Sequence, residues 1–352
     1  MTGRQQAKIR VLIVDDSPSV RMMLEQIFST DAAFEVAGQA GDGEEAVKAV
    51  EQLSPDVVTM DILMPRMNGL EATRMIMERH PLPIIIVSGN LDPEEVLTSF
   101  RAMEAGALTA LPKPRGPSHP EHAADVTQLL QKVKLMAEVR VVRRWHDAGA
   151  KSHPQAFPHA PVAHTSPQVV AIGASTGGPP VINTILSGLQ PDFPLPLLIV
   201  QHMAPGFIGG FAQWLNLTSR LPVRIASQGE GLLPGHVYIA PEGFHMEVAQ
   251  AGRIALRRGA PENAQLPSVD ALFRSVAGIF GRNAIGILLT GMGDDGAREL
   301  KQMKNRGAVT IAQDRESSVI YGMPGEAEKI GAATYCFPPG RIVEYLTSIR
   351  GI

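Results

Sequence analysis

The sequence holds one cysteine, Cys336, in 352 residues. No disulfide can close within the chain, and a reducing compartment suits it. Cys336 reads as a small apolar residue, buried or half-buried. No apolar run reaches the ~18–20 residues that a membrane-spanning helix needs. The N-terminal MTGRQQAKIR lacks the apolar core of a secretory signal, so the expected location is the cytoplasm. Positive charge is also in short supply: 32 Lys and Arg against 35 Asp and Glu leave a net charge of −3. With no basic stripe, a nucleic-acid groove is excluded on electrostatic grounds.

What is present is ordinary globular composition. Hydrophobic residues at 44% and charged residues at 19% leave no room for wholesale disorder, collagen or coiled coil. At ~150 residues per domain the length predicts two domains. Charge is unevenly spread, with 11 basic against 17 acidic residues over 1–115, so the front third is acidic. From Ile9 to Lys113 five short apolar runs, among them IRVLIV, DVVTM and PIIIVSG, alternate with segments of helical spacing. Runs without in/out alternation suit strands covered on both faces of a parallel sheet. Residues 116–166 then gather six of the ten His and five Pro. A helical stretch there, carrying Leu129, Leu130, Val133 and Met136, gives way to KSHPQAFPHAPVAHTSP, which reads as linker. From Gln168 the α/β rhythm resumes with QVVAIG, LPLLIVQH, VYIA, AIGILLTG and AVTIAQ, and the segment around GHVYIAPEGFHMEVAQAGRIAL alternates as a β-hairpin does.

In the first half, Asp15 and Asp16 end one strand and Asp61 ends another, at the carboxyl edge where such sheets bind ligands. Three mutually repelling carboxylates are stable together around a hard cation with oxygen ligands, of which Mg²⁺ fits best. Ser88 and Lys113 end two further strands and bring a hydroxyl and a point charge to the same edge. Taken singly, the acids could be helix caps; their joint placement argues for a pocket.

The strings VLIVDDSPSVR, MDILMPRMNGLEA, IIIVSGN and LPKP resemble a response-regulator receiver domain over roughly residues 9–130. The resemblance implies a flavodoxin-like five-stranded parallel sheet and phosphorylation at Asp61. It also implies that Asp15, Asp16, Asp61 and the Leu63 carbonyl hold Mg²⁺, that Ser88 is the switch hydroxyl, and that Lys113 contacts the phosphoryl oxygens. One position departs from the receiver pattern: three residues before the lysine, where an aromatic is usual, stands Ala110.

In the second half, Gly173-Ala174-Ser175-Thr176-Gly177 fits G-x-S-x-G. A tight turn of this kind exposes the Ser hydroxyl beside a helix N-terminus and supplies backbone N–H groups to an oxyanion. The same string also reads as a Gly-rich phosphate cradle, but the third-Gly spacing is not met and LLIVQHM ends without an acidic residue. His202 follows the next strand, and Asp295 lies in the Gly-rich loop LLTGMGDDGA, where Asp294 and Asp295 could equally cap a helix. Together they make a triad in which Ser175 attacks, His202 takes the proton and Asp295 orients the ring. The order Ser, His, Asp differs from that of α/β-hydrolases, chymotrypsin and subtilisin, which points to another lineage.

IGASTGGP, QHMAPGF, GHVYIAPEGFHM, SVDALFRSVA, LLTGMGDDGA and IAQDRESSVIYGMP resemble the catalytic domain of the CheB protein-glutamate methylesterases, over essentially all of 167–352. The expected organisation is therefore a receiver domain over 1–130, a helix end and Pro/His-rich linker over 131–166, and a doubly wound, mostly parallel, Rossmann-like α/β methylesterase domain with an antiparallel hairpin over 167–352. The resemblance implies hydrolysis of glutamyl γ-methyl esters on chemoreceptors with release of methanol, and deamidation of receptor glutamines. It implies Ser175, His202 and Asp295 as the triad and no cofactor for the ester chemistry. We place the oxyanion donors at Thr176 and Met292. The implied partners are methyl-accepting chemoreceptors and a chemotaxis histidine kinase; the chain is expected to be monomeric and to meet the membrane only through its receptors. Phosphorylation is expected to relieve a restraint that the receiver imposes. The competing reading is a receiver-gated nucleotide-binding or non-catalytic signalling module. His245, Tyr238 and Tyr321 are expected in core or scaffold roles rather than lining the receptor cleft.

Overall fold

Two parallel sheets are built from strands that are apolar on both faces. The computed structural model describes residues 7–89, 92–139, 141 and 167–349; the Pro/His-rich stretch read as linker, apart from Pro167, lies within 142–166, outside the described residues. The chain splits into two compact units, Met1–Val142 with Ala204–Trp214, and Arg143–Met203 with Leu215–Ile352.

In the N-terminal half the order is β1 (Ile9–Val14), α1 (Pro18–Ser29), β2 (Phe34–Ala40), α2 (Gly43–Leu53), β3 (Val57–Met60), α3 (Gly69–Arg79), β4 (Ile84–Ser88), α4 (Pro93–Glu104), β5 (Thr109–Pro112) and α5 (His122–Ala137). The five strands pair as β2-β1-β3-β4-β5, all parallel. The central strands are fully buried, VVTM and IIIVS throughout. Such runs require helices on both faces, which the alternating order supplies. Side chains cap the helices that border the acidic edge: Asp42 accepts from the Glu45 N–H at α2, and Asn68 with Glu71 forms a capping box at α3.

The C-terminal half runs β6 (Val169–Ala174), α6 (Gly178–Gly188), β7 (Leu197–Gln201), α7 (Ile208–Thr218), β8 (Val223–Ile225), β9 (Val237–Ile239), β10 (His245–Ala249), β11 (Arg253–Arg257), α8 (Val269–Phe280), β12 (Ala284–Leu288), α9 (Ala297–Asn305), β13 (Val309–Gln313), α10 (Met323–Lys329), β14 (Tyr335–Phe337) and α11 (Pro339–Thr347). Seven strands form one parallel sheet ordered β14-β13-β12-β6-β7-β9-β8, and β10 with β11 forms a separate antiparallel hairpin. The hairpin is thus shorter than the alternating segment suggested, because Val237–Ile239 at its front joins the main sheet. Helix α8 seals the core with Val269, Leu272, Phe273 and Val276, buried with Met246 of the hairpin and Leu288 of β12. Cys336 is exposed rather than buried, since it sits in a three-residue strand at the edge of the sheet. Among the described residues no helix is long and apolar enough to cross a membrane.

Candidate functional site

At the carboxyl edge of the first sheet, Asp15 and Asp16 follow β1, and Asp61 follows β3. Each offers a carboxylate oxygen, and these lie within 4.8 Å of one another. Lys113, just past β5, sets its Nζ 2.6 Å from Asp15 Oδ2 and 3.0 Å from Asp61 Oδ2. Asp61 Oδ1 accepts the Ile62 N–H at 2.8 Å. Burial pushes the Asp61 carboxyl up to about 6; Lys113 opposes the rise and Asp15 adds to it. The Lys113 ammonium is opposed by burial, but its two carboxylate partners outweigh that and raise it. Three carboxylates and no softer ligand make a donor set that suits a hard divalent cation such as Mg²⁺. The Leu63 side chain, in the loop after Asp61, is exposed. Ser88 is buried at the end of β4, and its hydroxyl donates to the Glu95 carboxylate of α4. Ala110 pairs with Ile86 across β4 and β5.

The second edge is built by strand register. Ala174 and Gln201 are partners in the β6/β7 ladder, so the next residues, Ser175 and His202, leave the sheet side by side. The His202 N–H donates to the Ala174 carbonyl at 2.9 Å, and the Ser175 N–H to the Thr290 carbonyl at 3.0 Å. Ser175 then turns into α6: Gly177 takes φ 78°, a left-handed conformation that favours glycine, and the Gly178 N–H closes the turn on the Ser175 carbonyl at 2.9 Å. Gly291 runs so close that a Cβ there would lie 2.7 Å from Ser175 Cβ, which brings the 290–293 segment beside the hydroxyl. Met292 of that segment is exposed, whereas Thr176 is buried and its carbonyl accepts the Thr290 hydroxyl at 3.0 Å.

His202 Nε2 lies 2.9 Å from Asp295 Oδ2, an ion-pair distance between two side chains that are almost wholly buried. Nδ1 is buried without a hydrogen-bond partner among the described residues. Asp295 does not cap its own helix, α9, whose N-cap is Gly296. It accepts instead from the first turn of α8: the Ser268 hydroxyl at 2.8 Å and the Asp270 N–H at 3.1 Å on Oδ1, and the Val269 N–H at 2.7 Å on Oδ2. Burial raises the Asp295 carboxyl, but His202 and these donors outweigh it and hold it below the ordinary carboxylate value. Asp270 is its counterpart. Its own carboxylate accepts the Gly296 N–H at 2.9 Å and the Asn263 amide at 2.6 Å, and burial, reinforced by the neighbouring Asp295, pushes it up to about 6.

Several of these groups escaped sequence reasoning. Gln201, Asn263, Ser268 and Asp270 carry no signal of their own, although Pro267-Ser268-x-Asp270 has the form of a helix N-cap. Tyr238 is buried, its hydroxyl donating to the Gly231 carbonyl at 3.0 Å. His245 is fully buried, with Nδ1 accepting the Ser268 N–H at 3.2 Å and Nε2 3.1 Å from the Ala260 carbonyl. Half-buried Tyr321 donates to Glu328 at 2.8 Å.

Comparison with known proteins adds to this geometry. Residues 170–346 match the CheB methylesterase family, and residues 11–134 match the response regulator receiver domain. The chain is 61% identical over 345 residues to protein-glutamate methylesterase/protein-glutamine glutaminase 4 of Geobacter metallireducens, covering 97% of this chain and 99% of that protein. It is 51% identical to the protein-glutamate methylesterase/protein-glutamine glutaminase of Nitrosospira multiformis, covering 97% of each. Among solved structures, the catalytic domain of Thermotoga maritima CheB methylesterase is similar with a TM-score of 0.51 at 39% identity, covering 53% of this chain and 100% of that domain.

Proposed function

The chain belongs to the CheB methylesterase family, with a response-regulator receiver domain ahead of the esterase domain, and from that membership we propose how its own residues carry the reaction. The enzyme is a protein-glutamate methylesterase and protein-glutamine glutaminase of chemotaxis adaptation. Its substrates are glutamyl γ-methyl esters and glutamines of chemoreceptors, met from the cytoplasm. The domain division we assign is a receiver over 1–130, a connecting segment over 131–166, and the esterase over 167–352.

Ser175 is the nucleophile, His202 the base and Asp295 the orienting carboxylate. The observation that carries this is the ladder register, which sets Ser175 beside His202, together with Asp295 2.9 Å from His202 Nε2. With Nε2 turned to Asp295, Nδ1 is the nitrogen left to take the Ser175 proton. As Ser175 Oγ bonds to the γ-carbonyl carbon, the oxygen becomes an oxyanion. Backbone N–H groups at Thr176 and Met292 receive it, and the Met292 N–H has no hydrogen-bond partner among the described residues. Collapse breaks the C–O bond, His202 returns the proton, and methanol leaves; a glutamine substrate loses ammonia in the same way. Water, deprotonated by His202, then attacks the glutamyl ester of Ser175, releasing glutamate and the free hydroxyl. Ionised Asp295 stabilises the imidazolium in both halves.

In the receiver, the Asp61 carboxylate accepts a phosphoryl group from a histidine kinase. Asp15, Asp16 and Asp61, with the Leu63 carbonyl, would hold Mg²⁺, which when bound offsets the charge gathered on the phosphoryl oxygens. Lys113 pairs with those oxygens and Ser88 donates to one of them, for which it must leave Glu95. Phosphorylation activates the esterase. Trapping with a fluorophosphonate tests the ester site: the adduct is expected on Ser175 alone, and a fully reactive Ser175→Ala chain would refute the assignment.

A further inference from the structure

Gln201, the last residue of β7, is buried between the nucleophile and the base, with 2% of its surface exposed. Its Nε2 donates to two main-chain carbonyls, those of Ser175 and of His202, at 2.8 Å each. These are the carbonyls of the two residues at which β6 and β7 leave the sheet, one step beyond the last ladder pair, Ala174 with Gln201. The amide cannot be the other way round, since its oxygen would then face two carbonyl oxygens. Oε1 has no hydrogen-bond partner among the described residues and packs on Gly178, where a Cβ would lie 2.1 Å from it. The side chain therefore has one use for its polarity, and that is to tie two peptide planes together.

We propose that Gln201 is the positioning residue of the hydrolytic site: by holding the Ser175 and His202 carbonyls on one amide nitrogen, it fixes the spacing between nucleophile and base. The inference rests on the triad reading above. It adds that the ladder alone does not set this spacing. The His202 N–H bond to Ala174 anchors one side of the His202 peptide, and Gln201 anchors the carbonyl on the other side. The same nitrogen braces the turn that Gly178 closes on the Ser175 carbonyl. A near-attack geometry tolerates errors of only a fraction of an ångström, so loss of this brace acts on the chemical step. Gln201 is buried and spends its donor on the main chain, so its loss is expected to act on kcat rather than on KM.

The test uses the full-length chain and two variants. Gln201→Met keeps the volume and removes the donor; Gln201→Glu keeps length and polarity but presents acceptors to both carbonyls. Methanol release from methylated receptor membranes gives kcat and KM, fluorophosphonate trapping gives the reactivity of Ser175, and circular dichroism reports the fold. For each variant we expect kcat and the trapping rate to fall at least tenfold together, with KM within twofold of wild type. Full kcat in either folded variant, or a loss confined to KM, overturns the inference. Failure of the triad reading looks different, because Ser175 in the wild-type chain itself would then resist trapping.

Discussion

Replacing Asp295 by Asn removes one charge from a site built around it, and the consequences can be worked from the contacts. Oδ2 receives the Val269 N–H and faces His202 Nε2, while Oδ1 receives the Ser268 hydroxyl and the Asp270 N–H. Each oxygen thus meets at least one main-chain N–H, which cannot reverse, so neither orientation of an amide escapes a donor–donor clash. With its nitrogen toward Val269, the amide would also oblige His202 Nε2 to accept, which moves the ring proton to Nδ1 and abolishes the base. In the other orientation the base survives, but the imidazolium loses its counter-charge at 2.9 Å. With an effective dielectric constant of about 20, a unit charge at that separation is worth about 6 kcal/mol, or about 10⁴-fold in rate. We therefore expect kcat for methanol release to fall by about 10³–10⁴ in Asp295→Asn. A loss of the α8 contacts of about 1–3 kcal/mol should show as a lower unfolding midpoint. A kcat within tenfold of wild type would refute the reasoning, because the carboxylate would then be structural only.

Three further outcomes follow from the same geometry. Asp270 has its carboxyl raised from 3.8 to about 6, so the stability it contributes is present below about pH 4 and lost as the pH climbs through 6. Relative to wild type, Asp270→Asn should gain up to about 3 kcal/mol between pH 4 and 7. Unfolding followed across that window checks this, and a constant difference contradicts it. Gly178→Ala would drive a Cβ to 2.1 Å from Gln201 Oε1 and 2.8 Å from Ala174 Cβ; a stability loss of about 1–3 kcal/mol is expected by calorimetry, with slower phosphonate trapping. Lys113→Met removes the positive partner of Asp15 and Asp61. Phosphodonor-stimulated methanol release should disappear, while unstimulated release by the same chain stays within twofold.

The residues that could be read from sequence share one property: they end strands. In a parallel sheet the carboxyl ends gather at one edge, so Asp15, Asp61, Ser88 and Lys113, or Ser175 and His202, come together once their strands are recognised. The strands themselves were recognisable where they are buried on both faces, as VVTM and VVAIGA are. Strands β8 and β14, three residues each, were not, because VRI and YCF at the sheet margins are too short to show any period. The second layer of the ester site was also hidden. Ser268 can be read as a helix cap, but nothing in its surroundings says that the carboxylate it serves is 27 residues away at Asp295. Gln201 is silent for the same reason, since its role is defined by two main-chain carbonyls rather than by another side chain. The local signal at Asp294-Asp295 suggested a cap for the helix that follows. The sheet instead turns Asp295 toward the first turn of α8, where the positive end of the helix dipole favours the ionised form.

The most direct test of the account is methanol release from methylated receptor membranes with and without Mg²⁺ and acetyl phosphate, comparing wild type, Ser175→Ala and Asp61→Asn. The account predicts no release from Ser175→Ala under any condition. It predicts stimulated release from wild type, and release from Asp61→Asn that ignores the phosphodonor. Release that survives Ser175→Ala, or stimulation that survives Asp61→Asn, would contradict it.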